Sequence, residues 1–152
     1  METIITVLLQ LFLTPANAFT QELFDIEATI ETRVRTNVIW SNGHDFCLQK
    51  QGLYGAYIPH ADFIIVCQKN HNHDYSELVG TLKHEGWHAV QVKCNNYRAA
   101  LSDDQIRPHL KDRDRKNLHS YHPKQTRAEA EARVVEQIPT DAWIRGVKAY
   151  CK

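Results

Sequence analysis

The chain has 152 residues, 43% of them hydrophobic and 24% charged, which suits one ordinary globular domain and is short for two. Lys plus Arg and Asp plus Glu both number 18, so the balance offers neither a polycation for nucleic acid nor a strongly anionic surface. Six Gly and five Pro exclude a collagen-like or low-complexity chain, whereas nine His direct the search toward metal or acid–base chemistry.

Ile4 to Leu13 is apolar apart from Thr6 and Gln10, and Ala16-Asn17-Ala18 follows. The pattern predicts a signal peptide over residues 1–18 cleaved after Ala18, although Met1-Glu2-Thr3 lacks the usual positive charge. The apolar stretch is about half the length a spanning helix needs, so a secreted or periplasmic domain over 19–152 with no membrane span is expected. Cys47, Cys67, Cys94 and Cys151 form an even set without C-x-x-C spacing. Two structural disulfides fit that set better than a four-cysteine zinc site or a redox pair.

Thr20 is the expected cap of a helix from Gln21 to Val34, with Leu23, Phe24, Ile26, Ile30 and Val34 as its apolar stripe. Short β-prone runs follow at Asn37–Trp40, Phe46–Gln49, Gly55–Ile58 and Phe63–Gln68, as in a small meander. Asp74 or Ser76 caps a helix from Glu77 to Val92, and the polar stretch from Cys94 to His122 reads as loop with a short helix after Ser102. Pro123 or Gln125 opens another helix that Pro139 ends, and Thr140 caps a last one toward Tyr150. The fold class expected is α+β: an N-terminal helix, a short antiparallel or mixed sheet, then helices.

The chemistry concentrates in His84-Glu85-Gly86-Trp87-His88. H-E-x-x-H puts two imidazoles one turn apart on one helix face, where both can reach a single Zn²⁺, and leaves the intervening Glu beside a bound water. From the chain's own composition the pattern is expected by chance about 0.03 times, so the motif is specific. Two packed, hydrogen-bonded core histidines would be the bland alternative, but that leaves the charged Glu85 unexplained among apolar neighbours.

His84-Glu85-Gly86-Trp87-His88, with Leu78 to Lys83 before it and Ala89-Val90-Gln91 after it, resembles the active-site helix of the zincin superfamily of zinc metallopeptidases. The position of the third His in the longer metzincin signature is Cys94, so the likeness is to small gluzincins, whose third ligand is a Glu on a later helix. Glu129-Ala130-Glu131-Ala132-Arg133 resembles their E-x-x-A-D element, which makes Glu129 the implied ligand, with Glu131 as the competing choice. Arg133 replaces the final Asp, so the partner for an imidazole N–H must come from another carboxylate or a carbonyl. The resemblance implies a small zincin-like domain with one Zn²⁺ held by His84, His88 and Glu129, and Glu85 as general base. It also implies a peptide or protein substrate laid along an edge strand, here Phe63 to Gln68.

Among the other polar residues, His119, Tyr121 and His122 are candidates to stabilise an oxyanion, Tyr97 a weaker one. His71 and His73 read as a polar loop before a helix cap rather than a second ion site. Two rival functions stay open: a non-catalytic module with zinc as a structural staple, and a metal-free, disulfide-stapled interaction domain. Metal content separates the second from zinc proteins, and a peptide-library assay separates the first. Cys47 and Cys67 lie in neighbouring β-prone runs, and Cys94–Cys151 would tie the C-terminal helices to the His84/His88 helix, so these pairings are expected. Substrate preference and oligomeric state are not legible.

Overall fold

The computed structural model describes residues 15–49, 52–72 and 74–152; the apolar run of the expected signal peptide and His73 lie outside them. Helix α1 spans Pro15–Thr29 and continues as a π-helical turn, Ile30–Val34, that ends at the left-handed Arg35. It therefore starts upstream of the expected cap at Thr20. Strand β1 (Asn37–Ser41), helix α2 (Asp45–Gln49), strand β2 (Gly55–Ile58) and strand β3 (Phe63–Cys67) follow. Helices α3 (Tyr75–Lys93), α4 (Asp103–Ile106), α5 (Asp112–Leu118), α6 (Pro123–Val135) and α7 (Thr140–Tyr150) complete an α+β domain.

The sheet order is β1-β3-β2, with β1 parallel to β3 and β2 antiparallel to it, so it is mixed and not a meander. β3 is the central strand. Its Ile64, Ile65, Val66 and Cys67 are all buried, as an unbroken apolar run on a strand covered on both faces demands. That overturns the expectation of Phe63–Gln68 as the edge strand; β2 is an edge of the sheet and runs beside α3.

Phe46–Gln49 is helical instead of extended. The Ser41 hydroxyl accepts from the N–H groups of Gly43 and His44, and the His44 carbonyl accepts from Cys47 and Leu48, closing a helical turn directly after β1. The turn aims Cys47 inward to its disulfide with Cys67, and Cys94 is bonded to Cys151 as expected.

Helix α3 is the hub. The Asp74 carboxylate, not Ser76, caps it by accepting from the N–H groups of Ser76 and Glu77. Its Leu78, Leu82, Trp87, Ala89 and Val90 join Ile26 and Ile30 of α1, Ile64 and Val66 of β3, Ala132 and Val135 of α6, and Trp143 and Val147 of α7 in one core. Gly86 permits this approach: a Cβ there would lie 2.8 Å from Ile30 Cδ1 and 3.1 Å from Trp143. Pro139, not Thr140, takes the cap position of α7, and the Thr140 hydroxyl donates to Glu22 on α1.

The charged run Lys111–Lys116, expected as loop, forms most of α5. Asp114 and Leu118, one turn apart, are buried against α6 while Arg113 is exposed, so the run has a hidden inward face. Among the described residues, no helix is long and apolar enough to cross a membrane.

Candidate metal centre

α3 and α6 pack antiparallel, with His84 near Glu136 and His88 near Glu129. On α3, Glu77, Thr81, His84, Glu85 and His88 recur at helical spacing and face a cleft of about 830 Å³. β2 forms a second wall through Gly55 and Tyr57, and α5, α6 and the turn between them a third through Asn117, Tyr121, Glu129 and Arg133. Gly55 lets β2 approach, since a Cβ there would lie 2.8 Å from the Thr81 methyl and 2.9 Å from the Ile65 carbonyl.

His84, His88 and Glu129 form a group that could hold a metal ion. His84 Nε2 is 3.1 Å from His88 Nε2 and 3.5 Å from Glu129 Oε2, and His88 Nε2 is 3.2 Å from the same oxygen. Ligand bonds of about 2.0–2.1 Å in a tetrahedron require donor separations of roughly 3.3 Å, which these values bracket.

The outer nitrogens fix the ring orientations. His84 Nδ1 is 2.7 Å from Glu136 Oε2, and His88 Nδ1 is 2.9 Å from Gln91 Oε1. Acceptors at both Nδ1 atoms place a proton there and turn the Nε2 lone pairs toward Glu129. Burial opposes charge on His84, yet its hydrogen bonds to Glu129 and Glu136 raise its pKa to about 10. Burial likewise opposes charge on Glu129, but both histidines hold its carboxyl far below the usual carboxylate range. A cation is thus favoured between these groups.

Glu129, not Glu131, is the residue in this group. Glu131 is fully buried with its oxygens engaged: Oε1 accepts from the N–H groups of Ala100 and Leu101 at 2.7 Å each, and Oε2 accepts from Gln91 at 2.6 Å. Gln91 therefore links the His88 ring to α6 and the 94–102 loop. Glu85 stands outside the three-residue group and lines the cleft, its Oε2 accepting from the Tyr57 N–H at 2.9 Å.

Of the three oxyanion candidates only Tyr121 lines this cleft, on the wall that also carries Glu129 and Arg133. His122 caps α6 by accepting from the Lys124 N–H, and His119 borders a separate, smaller depression. Tyr97 is exposed and outside the cleft. His71 is buried, bonded to the Cys67 carbonyl and the Thr81 hydroxyl, which is a structural role.

Sequence reasoning missed Glu136, Gln91 and Tyr57. Glu136 lies seven residues after Glu129, two turns on along the same helix face, and Gln91 three after His88; those offsets were the available signals. Tyr57 acts through its backbone N–H, for which side-chain identity gives no signal. No protein-family model, curated protein or solved structure matches the chain, so the function must be argued from this constellation of residues.

Proposed function

We propose that the protein is a zinc-dependent peptidase of the gluzincin type, working outside the cytoplasm. The observation that carries this reading is the convergence of His84 Nε2, His88 Nε2 and Glu129 Oε2 beside a cleft whose wall also presents Glu85. Three inward donors and an open side suit a catalytic site, whereas structural zinc is usually enclosed by four protein ligands. Two disulfides are compatible with an extracellular protein.

A bound zinc ion supplies Lewis acidity and lowers the pKa of water toward about 7. Glu85, anchored at Oε2 by the Tyr57 N–H, keeps Oε1 to take a proton from the attacking water. As the peptide C–N bond breaks, Glu85 returns that proton to the departing amine. The Tyr121 hydroxyl, whose pKa is raised by burial and by Glu129, stays neutral and can donate to the developing oxyanion. β2 borders the cleft at the sheet edge, so an extended peptide can add beside it through backbone hydrogen bonds.

The test is a peptide-library assay on the full chain, with and without chelator, beside Glu85→Gln. Chelator-sensitive cleavage is expected, falling at least about 10²-fold in Glu85→Gln while zinc content is unchanged. Equal activity in that variant, or cleavage indifferent to chelation, would remove the reading.

A further inference from the structure

The two oxygens of Glu129 have different surroundings. Oε2 faces the two imidazoles, while Oε1 is 2.9 Å from Arg133 Nη2, one turn further along α6. Arg133 Nη1 is in turn 3.3 Å from Asp114 Oδ1 on α5. Asp114 is only 2% exposed, and a carboxylate so deeply buried is costly unless paired. The guanidinium thus joins Glu129 to Asp114 at an edge of the cleft that Tyr121 also lines.

Arg133 is not a substitute for the aspartate of the resembled motif, because Glu136 already holds His84 Nδ1. Its contacts point to a different task. A carboxylate can bind a metal through one oxygen or two, and an ion pair with a guanidinium at Oε1 competes with the second mode. Asp114 holds the other side of the guanidinium and partly offsets its charge.

Building on the metal-centre reading, we propose that Arg133, braced by Asp114, is a positioning residue that occupies Glu129 Oε1 and so keeps Glu129 a single-oxygen ligand. The charged run on α5 thereby becomes part of the metal centre's support, although none of its residues is a ligand.

The experiment is Co²⁺ loading of the full chain, with the visible absorption band and a chelator-competition affinity measured for wild type, Arg133→Met, Arg133→Lys and Asp114→Asn. Circular dichroism of the metal-free forms checks folding. Wild type should give the intense band of a low-coordinate cobalt site. Arg133→Met should weaken the band as the second oxygen joins, and lower affinity by about 10–100-fold. Arg133→Lys should recover part of both changes, and Asp114→Asn should shift both less than Arg133→Met but in the same direction. An unchanged band in folded Arg133→Met overturns the proposal, even where affinity drops, because a merely structural role would lower affinity alone. Should that variant fail to fold, an unchanged band in Asp114→Asn overturns it. Wild type that binds no cobalt at all overturns the metal centre itself and this inference with it.

Discussion

Two histidine Nε2 atoms 3.1 Å apart, each turned inward by an acceptor behind the ring, repel unless a cation lies between them. Glu129 adds a third electron pair to the same space. His71 is the opposite case. Burial lowers its pKa below the ordinary 6.5, and its bonds to the Cys67 carbonyl and the Thr81 hydroxyl suit a neutral ring. In the unfolded chain this ring takes up a proton near pH 6.5, while the folded form resists until lower pH, so the unfolded state binds more protons in that window. His71 should therefore contribute stability at neutral pH that is lost as pH falls below about 6.5. Chemical denaturation of metal-free protein from pH 7.5 to 5 should show a shallower decline for His71→Gln than for wild type; parallel curves would contradict this. The comparison cancels the opposite contribution of His84, whose pKa is raised.

β2 meets α3 at the glycine of Gly55, and that contact brings the Tyr57 N–H to Glu85. Gly55→Ala would set a methyl against the Thr81 methyl and the Ile65 carbonyl, and the carbonyl cannot move without disturbing the sheet. We expect β2 to shift off α3, stability to fall by about 1–3 kcal/mol, and the proposed peptidase activity to fall at least tenfold with metal content intact. Thermal melts, metal analysis and kinetics on one preparation check all three. How much of this was legible depended on whether a residue acts within its own element. His84, Glu85 and His88 announced themselves because helical spacing alone places them together, and Glu129 followed from its motif. Asp114 was hidden in a charged run that reads as solvated loop, since only packing against α6 shows which of its charges is buried. Phe46–Gln49 is too short for period to separate strand from helix, and its turn is set by the hydroxyl of Ser41. For β3, the unbroken Phe63-Ile64-Ile65-Val66-Cys67 run was itself the sign of a central strand.

At the scale of the molecule, α3 supplies two of the candidate ligands and α6 the third, and the chain between them is long and polar. The Cys94–Cys151 disulfide closes a loop of 57 residues that contains α6, which ties Glu129 to the end of α3. Loop-closure entropy for that length is about 4 kcal/mol in the unfolded chain, against about 3 kcal/mol for the 20-residue separation of Cys47–Cys67. Removing the longer link by Cys94→Ala with Cys151→Ala should cost more stability than removing the shorter one. It should also weaken zinc binding as Glu129 loses its fixed distance from His84 and His88. Denaturation and zinc titration of the two double variants check the order, and equal zinc affinity in both would contradict it.

Whether His84, His88 and Glu129 form one metal centre is decided by elemental analysis of the full chain. Protein purified without chelator and dialysed against metal-free buffer should retain one zinc per chain, and a His84→Ala, His88→Ala double variant that remains folded should retain none. Zinc near zero in the wild type, or equal zinc in the double variant, would show that these residues hold no metal.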